Sequence, residues 1–165
     1  MNQGQSATDA IRNLKGRYFR VIDTKCFDKL HDILTEDAYF DLEGIVQRDA
    51  DGAVVVPVQL GELFPGHQHA VVRGRAEMVA FITGALNSVI SIHHGFTPEI
   101  EVTGDSATAI WPMEDVFFGI APPHGRIRHA YGHYADVYRR EKGVWRIAGQ
   151  SLSFLHQRWF QEEEG

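Results

Sequence analysis

The chain has 165 residues, 44% of them hydrophobic, enough to bury a sizeable core without disulfide or metal staples. With 22 acidic against 16 basic residues its formal charge is −6, which removes the electrostatic footprint that a nucleic acid or an anionic membrane surface requires. Cys26 is the only cysteine, so one chain can form neither a disulfide nor a thiolate metal cluster, as suits a reducing cytoplasm. The N-terminus, MNQGQSATDA, lacks a basic n-region and an apolar h-region, and no run reaches the roughly 20 apolar residues of a membrane span. We expect one soluble, cytoplasmic domain over residues 1–165, with its core at about 8–156.

Ser6, Thr8 or Asp9 can cap a first helix, in which Ile11, Leu14, Tyr18, Val21 and Ile22 follow the three-or-four spacing of one buried stripe. Asp23-Thr24 interrupts that pattern, and Phe27, Leu30 and Leu34 start a shorter one, so two helices meet at a corner near Asp23. A short strand, Ala38–Leu42, leads into an irregular stretch from Glu43 to Gly74. Within it, Asp49-Ala50-Asp51-Gly52 suits a turn and Pro57 breaks the Val54–Val58 run, which favours a hairpin or lid over a core strand. Met78, Ile82 and Leu86 mark a third helix after Gly74. Four long strands follow: Ile100–Thr103 with Ala107–Phe118, turning at Thr103-Gly104-Asp105, and Arg126–Arg140 with Val144–Leu155, turning at Glu141-Lys142-Gly143. Helices placed before an antiparallel sheet indicate an α+β fold, and a strongly curved sheet would enclose a pocket beneath them. The three glutamates of the Gln161–Gly165 tail suit a frayed end.

The densest chemistry lies in SIHHGFTPEIEVTGDSATAIWPME, Ser91–Glu114. Neighbouring side chains of an extended segment point to opposite faces, so only one of His93 and His94 can look into an interior cavity. Trp111, Met113, Phe117 and Phe118 place large side chains on the long strand, as core and as lining for an apolar pocket that His94 could share. Arg126 and Arg128 either bind an acidic substrate or solvate a strand edge. His67 with His69, and His129 with His133, could be drawn as metal ligands, but no acid or thiol stands at a telling spacing beside them. We expect no metal.

The order of elements and several local patterns together resemble the SnoaL-like members of the nuclear-transport-factor-2-like superfamily. These are cone-shaped α+β proteins that include scytalone dehydratase, bile-acid 7α-dehydratase, lindane dehydrochlorinase and ketosteroid isomerase. The pieces are RYFRVIDTKCFDKL, DAYFDLEG, the helix after Gly74, HHGFTPEIEVTGDSATA and YRREKGVWRI, spanning roughly Ala10 to Phe154. In the dehydratase-like branch a histidine stands seven residues before the strand that enters the Gly-Asp turn, and here that is His93. The branch also has an aspartate at the end of the first helix, five residues after a polar pocket residue that is often tyrosine. Asp23 and Tyr18 fit those positions. An acidic residue on the next strand matches Asp115 after a one-residue gap. The segment between Asp23 and His93 is longer than in the compact members, and Gly149-Gln150 replaces the dehydrochlorinase's basic residue.

The resemblance implies a cofactor-independent lyase or isomerase, most simply a dehydratase acting on a hydrophobic cyclic or polyketide-like compound. His93 would be general base and then acid, Asp23 would orient it, and Tyr18 would donate to a carbonyl or leaving oxygen. Each residue also has a plainer role: Asp23 can cap the helix near Lys25, His93 can be a core histidine, Tyr18 can simply pack, and Asp115 can be a solvated edge residue. A non-catalytic small-molecule-binding or protein-interaction module of the same fold is the other functional reading. Relatives commonly pair through the outer sheet face, for which Tyr131, His133, Tyr134 and Tyr138 offer aromatic surface, so a homodimer or homotrimer is expected.

Overall fold

A computed structural model of the chain describes residues 6–43, 47–48, 54–55, 71–120 and 126–161. Helix α1 (Ala7–Asp23) starts at Ser6, whose hydroxyl accepts the Asp9 backbone N–H at 3.1 Å. This satisfies one of the donors a helix N-terminus leaves over. The expected stripe Ile11, Leu14, Tyr18, Val21 and Ile22 is buried, and Lys15 and Phe19 are buried with it. Beyond Asp23 the chain turns through Lys25, which takes a positive φ of 60°. A 3-10 turn (Phe27–Lys29) and the single turn of α2 (Leu30–Ile33) follow. Leu34, expected as the last inward residue of that helix, already opens β1 (Leu34–Asp41). Three hydrophobic residues at helical spacing are too short a window to separate a helix from a helix-to-strand junction.

Gln47–Arg48 (β2) and Val54–Val55 (β3) pair antiparallel, as a hairpin there requires; its Asp49–Gly52 turn, most of the Val54–Val58 run, and His67 and His69 lie outside the described residues. Strand β4 (Val71–Arg73) leads into α3 (Arg75–Leu86), where the third helix was expected. The remaining strands are β5 (Ile90–Gly95), β6 (Glu99–Thr103), β7 (Ser106–Ile120), β8 (Arg126–Glu141) and β9 (Val144–Gln161). Gln161, expected in a frayed tail, still belongs to β9.

One seven-stranded sheet runs in the order β4-β1-β9-β8-β7-β5, with β6 pairing on β7 beyond β5. The fold is α+β with a large curved sheet, but the sheet is mixed rather than antiparallel, because β1 pairs parallel to β9. Hydrophobic periodicity carries no information on strand direction, which is why the sequence concealed this pairing. The helices cover one face. Toward it β7 turns Ala109, Trp111, Met113, Asp115 and Phe117, and β8 turns Arg128, Ala130, Tyr134, Asp136 and Tyr138, all buried. Tyr131 and His133 occupy the outer face as expected, whereas Tyr134 and Tyr138 face inward, since an even offset along a strand keeps a side chain on one face and an odd offset reverses it. Among the described residues no helix is long and apolar enough to cross a membrane.

Candidate active site

The end of α1 and the start of β5 meet at the mouth of the helix–sheet interior. Asp23 is the last residue of α1, and its carboxylate caps no helix. Instead one oxygen, Oδ1, lies 2.6 Å from His93 Nδ1 and accepts the Ser91 hydroxyl at 2.9 Å, while Oδ2 accepts the His93 backbone N–H at 2.9 Å. Three bonds from two alternate residues of one strand fix the carboxylate plane. With Nδ1 engaged, Nε2 is the ring atom left for chemistry. The ring itself is clamped, stacked on Phe19 at 5.8 Å and 8° and set edge-on to Phe117 at 5.3 Å.

Two residues of this cluster carried no recognised signal in the sequence. Ser91 donates to Asp23, and the Lys25 ammonium donates to Ser91 at 2.9 Å. The left-handed backbone of Lys25, unusual outside glycine, turns its side chain back over the corner. Burial holds the Lys25 pKa below the ordinary lysine value, although Asp23 acts in the opposite direction. The chain Lys25–Ser91–Asp23–His93 thus runs from a partly exposed ammonium to a buried imidazole. Ser91 stands two residues before His93 on the same strand face, the only sequence-level hint of its place.

Behind His93 lies a narrow cleft, lined mostly by apolar side chains such as Ile22, Phe40, Phe81 and Leu152. Its polar lining is Tyr18, His93, Asp115, Arg128 and Tyr134. Burial, then the nearby carboxylates Asp136 and Asp23, pushes the Tyr18 hydroxyl far above the ordinary tyrosine value, so it stays a protonated donor at any ordinary pH. Asp115, the register partner of His93, is buried at 1% exposure rather than solvated at an edge. It pairs with Arg128, whose Nη2 lies 2.7 Å from Asp115 Oδ1. Arg128 is likewise buried, at 2% exposure, so it does not solvate a strand edge. Its parity with Ala130, Tyr134, Asp136 and Tyr138 was the available signal.

Of the other expected pocket residues, Phe117 lines the cleft. Trp111 and Met113 belong to the core beside it, and the indole N–H of Trp111 donates to Tyr138 Oη at 3.0 Å. His94 does not enter the pocket. One residue after His93 on the same strand, it points to the outer face, where Glu114 bridges it at 3.3 Å and His129 Nε2 at 2.6 Å. His129 and His133 share the outer face, and among the described residues no three or more His, Cys, Asp or Glu side chains are arranged so that they could hold a metal ion.

A second buried polar cluster anchors α1 to the sheet. Lys15 Nζ lies 2.7 Å from Asp136 Oδ2 and 3.8 Å from the centroid of the Tyr134 ring. The Tyr138 hydroxyl and Gln150 amide also donate to Asp136. Burial lowers the Lys15 pKa, and the Asp136 carboxylate opposes this.

The family model for a SnoaL-like domain matches residues 5–149. Among solved structures, a candidate aromatic ring hydroxylase from Novosphingobium aromaticivorans is 21% identical, with a TM-score of 0.67 and coverage of 93% of this chain and 91% of that one. A type 2 hexachlorocyclohexane dehydrochlorinase is 16% identical at TM-score 0.67, covering 92% and 86%. A candidate scytalone dehydratase from N. aromaticivorans is 14% identical at TM-score 0.67, covering 90% and 84%. Further neighbours are described as having a cystatin-like fold. At these identities the structural likeness establishes the fold alone.

Proposed function

The chain belongs to the SnoaL-like domain family, and from that premise we propose that it is a cofactor-independent lyase, most simply a dehydratase, with Asp23–His93 as its catalytic pair. The observation that carries this reading is the 2.6 Å contact between Asp23 Oδ1 and His93 Nδ1 beside an apolar cleft. In the proposed reaction His93 Nε2 takes a proton from carbon next to an electron-withdrawing group. The C–H electrons become the new double bond, a hydroxyl leaves from the adjacent carbon, and the same imidazolium returns the proton to it as water. Asp23 holds the tautomer and stabilises the imidazolium. Tyr18 donates to the leaving or carbonyl oxygen, where a preorganised donor is worth about 3 kcal/mol. The apolar lining suits a hydrophobic cyclic or polyketide-like substrate.

A purely binding module would have no use for an imidazole bonded at Nδ1 to a carboxylate that two further hydrogen bonds hold in place, which is why the lyase reading is preferred. Exposed Ile90, Ile92, Tyr131 and Phe160 on the outer face support a homo-oligomer, and the lone Cys26 fits a cytoplasmic location. The direct test is a proton NMR titration of the histidines in wild type and Asp23→Asn, with His93 assigned from His93→Gln. A His93 signal whose pKa and tautomer change in Asp23→Asn supports the pair and justifies screening hydroxylated cyclic ketones. A His93 signal that titrates identically in both proteins removes the base–orienter unit and leaves the binding module.

A further inference from the structure

We infer that Lys25 is a positioning residue for the catalytic pair: held on Ser91, its ammonium shares the Asp23 carboxylate with His93 and so keeps the imidazole in its basic form. The inference rests on the Asp23–His93 pair of the lyase reading and adds a third charge to it. The lysine stands at an unusual place. Cys26 N–H donates to the Val21 carbonyl at 3.0 Å and Lys25 N–H to that of Ile22 at 3.3 Å, the paired bonds that close a helix end. In such a closure the residue with the positive φ is ordinarily glycine, yet here it is Lys25, at φ 60°. A Cβ is costly there, and what it brings is a half-buried side chain whose Nζ lies 2.9 Å from Ser91 Oγ.

Hydrogen-bond direction makes the arrangement one-way. An ammonium only donates, so Ser91 accepts from Lys25 and directs its single proton to Asp23. Asp23 Oδ1 therefore receives two donors, the Ser91 hydroxyl at 2.9 Å and His93 Nδ1 at 2.6 Å. A carboxylate oxygen that already accepts a hydroxyl polarised by a cation has less negative charge to offer an imidazolium. The Lys25 cation also repels an imidazolium directly. Both effects favour the neutral ring, with a proton on Nδ1 and a lone pair on Nε2.

The other charges of this interior are already matched. In the lining shared with His93, Asp115 of β7 and Arg128 of β8 pair with each other at 2.7 Å. Lys15 of α1 and Asp136 of β8 form a second pair, also at 2.7 Å. Tyr18 and Tyr134, the remaining titratable groups of the lining, are kept neutral by burial, and α3 and β9 bring only apolar side chains to it. Among the described residues of this interior, Asp23 is thus the carboxylate whose cation is Lys25, reached through Ser91. Without that cation Asp23 would draw a proton onto His93 and leave an imidazolium, which is no base. With it the corner is balanced while the ring is neutral.

The test follows the His93 resonances of the full chain through a pH titration in wild type, Lys25→Met, Lys25→Arg and Asp23→Asn. Lys25→Met keeps the stem and removes the charge. It is expected to raise the His93 midpoint by at least about half a unit, and Lys25→Arg to leave it within about 0.2 of wild type. The Lys25→Met shift should shrink in high salt, which screens the ammonium, and should be at least about halved in a Ser91→Ala background, which untethers it. A midpoint that Lys25→Met leaves unmoved or lowers overturns the inference. So does an equal shift in Lys25→Met and Lys25→Arg, which would mark lost shape rather than lost charge. If the midpoint answers to Asp23→Asn but not to Lys25→Met, the catalytic pair stands and the role of Lys25 falls. If it does not answer to Asp23→Asn, the pair itself is absent and both fall. Should Lys25→Met fail to fold, Lys25→Gln takes its place with the same expectation.

Discussion

Asp23 binds His93 through both carboxylate oxygens, so changes at the two residues should be far from additive. His93→Gln is expected to abolish turnover, and Asp23→Asn to lower kcat by about 1,000-fold or more, because the amide cannot hold the same tautomer. The double variant should be hardly worse than His93→Gln, which steady-state kinetics would show once a substrate is in hand. Ser91 makes a finer test. Ser91→Ala removes the donor to Asp23 and the acceptor of Lys25 without touching the imidazole. A hydrogen bond to a charged group is worth about 1.5–3 kcal/mol, so kcat should fall by about tenfold or more with KM little changed. An unaltered kcat would remove Ser91 from the functional cluster. At this scale the sequence was legible only in part. Asp23, His93 and Tyr18 were reachable through a family resemblance, whereas Ser91, Lys25 and the partners of Arg128 depend on which distant atoms meet in the fold.

At the scale of elements, the helix stripe of α1 was legible because helical periodicity is a property of the local sequence. Lys15, four residues after Ile11, sits on that stripe, and a lysine among buried positions was the readable sign of an internal partner. Which strand supplies Asp136 was not readable. Breaking that pair by Lys15→Met would leave a carboxylate buried without its cation, at a cost of about 3–5 kcal/mol in urea unfolding, and removing both charges with Asp136→Leu should recover much of it. Two glycines give a contrasting pair. A Cβ on Gly132 would fall 1.9 Å from the Ser153 carbonyl oxygen, at the irregularity where β8 and β9 change register, whereas one on Gly84 in α3 would meet nothing within 4 Å. Gly84→Ala should therefore stabilise by about 0.5–1 kcal/mol, while Gly132→Ala should be strongly destabilising or fail to fold, as thermal melts would show.

Across the whole molecule, Arg139 of β8 reaches Asp37 of β1, so an ion pair spans the intervening β9. Hydrogen bonds from Arg139 are the main reason the Asp37 carboxyl is lowered to about 2. A carboxyl lowered on folding contributes its stability above its unfolded value, near 3.8, and loses it as pH falls toward 2. Asp37→Asn should flatten the acid-unfolding curve in that window and leave its neutral-pH shape alone. Because Asp37 is largely solvent-exposed, the effect should be small and should shrink with added salt. The parallel union of β1 with β9 also orders events in time. The first strand made must wait for the last, and β9 is an interior strand with β1 on one side and β8 on the other. Loop closure over most of the domain precedes the gain from that contact, so folding should be slow and should await the synthesis of β9. A nascent chain halted before Gly149 already contains Asp23 and His93, yet lacks the β9 residues that pair with Tyr39, Phe40 and Asp41. During synthesis it would expose the apolar stripe of α1, and chaperone binding by ribosome-stalled chains should cease only once β9 has left the exit tunnel.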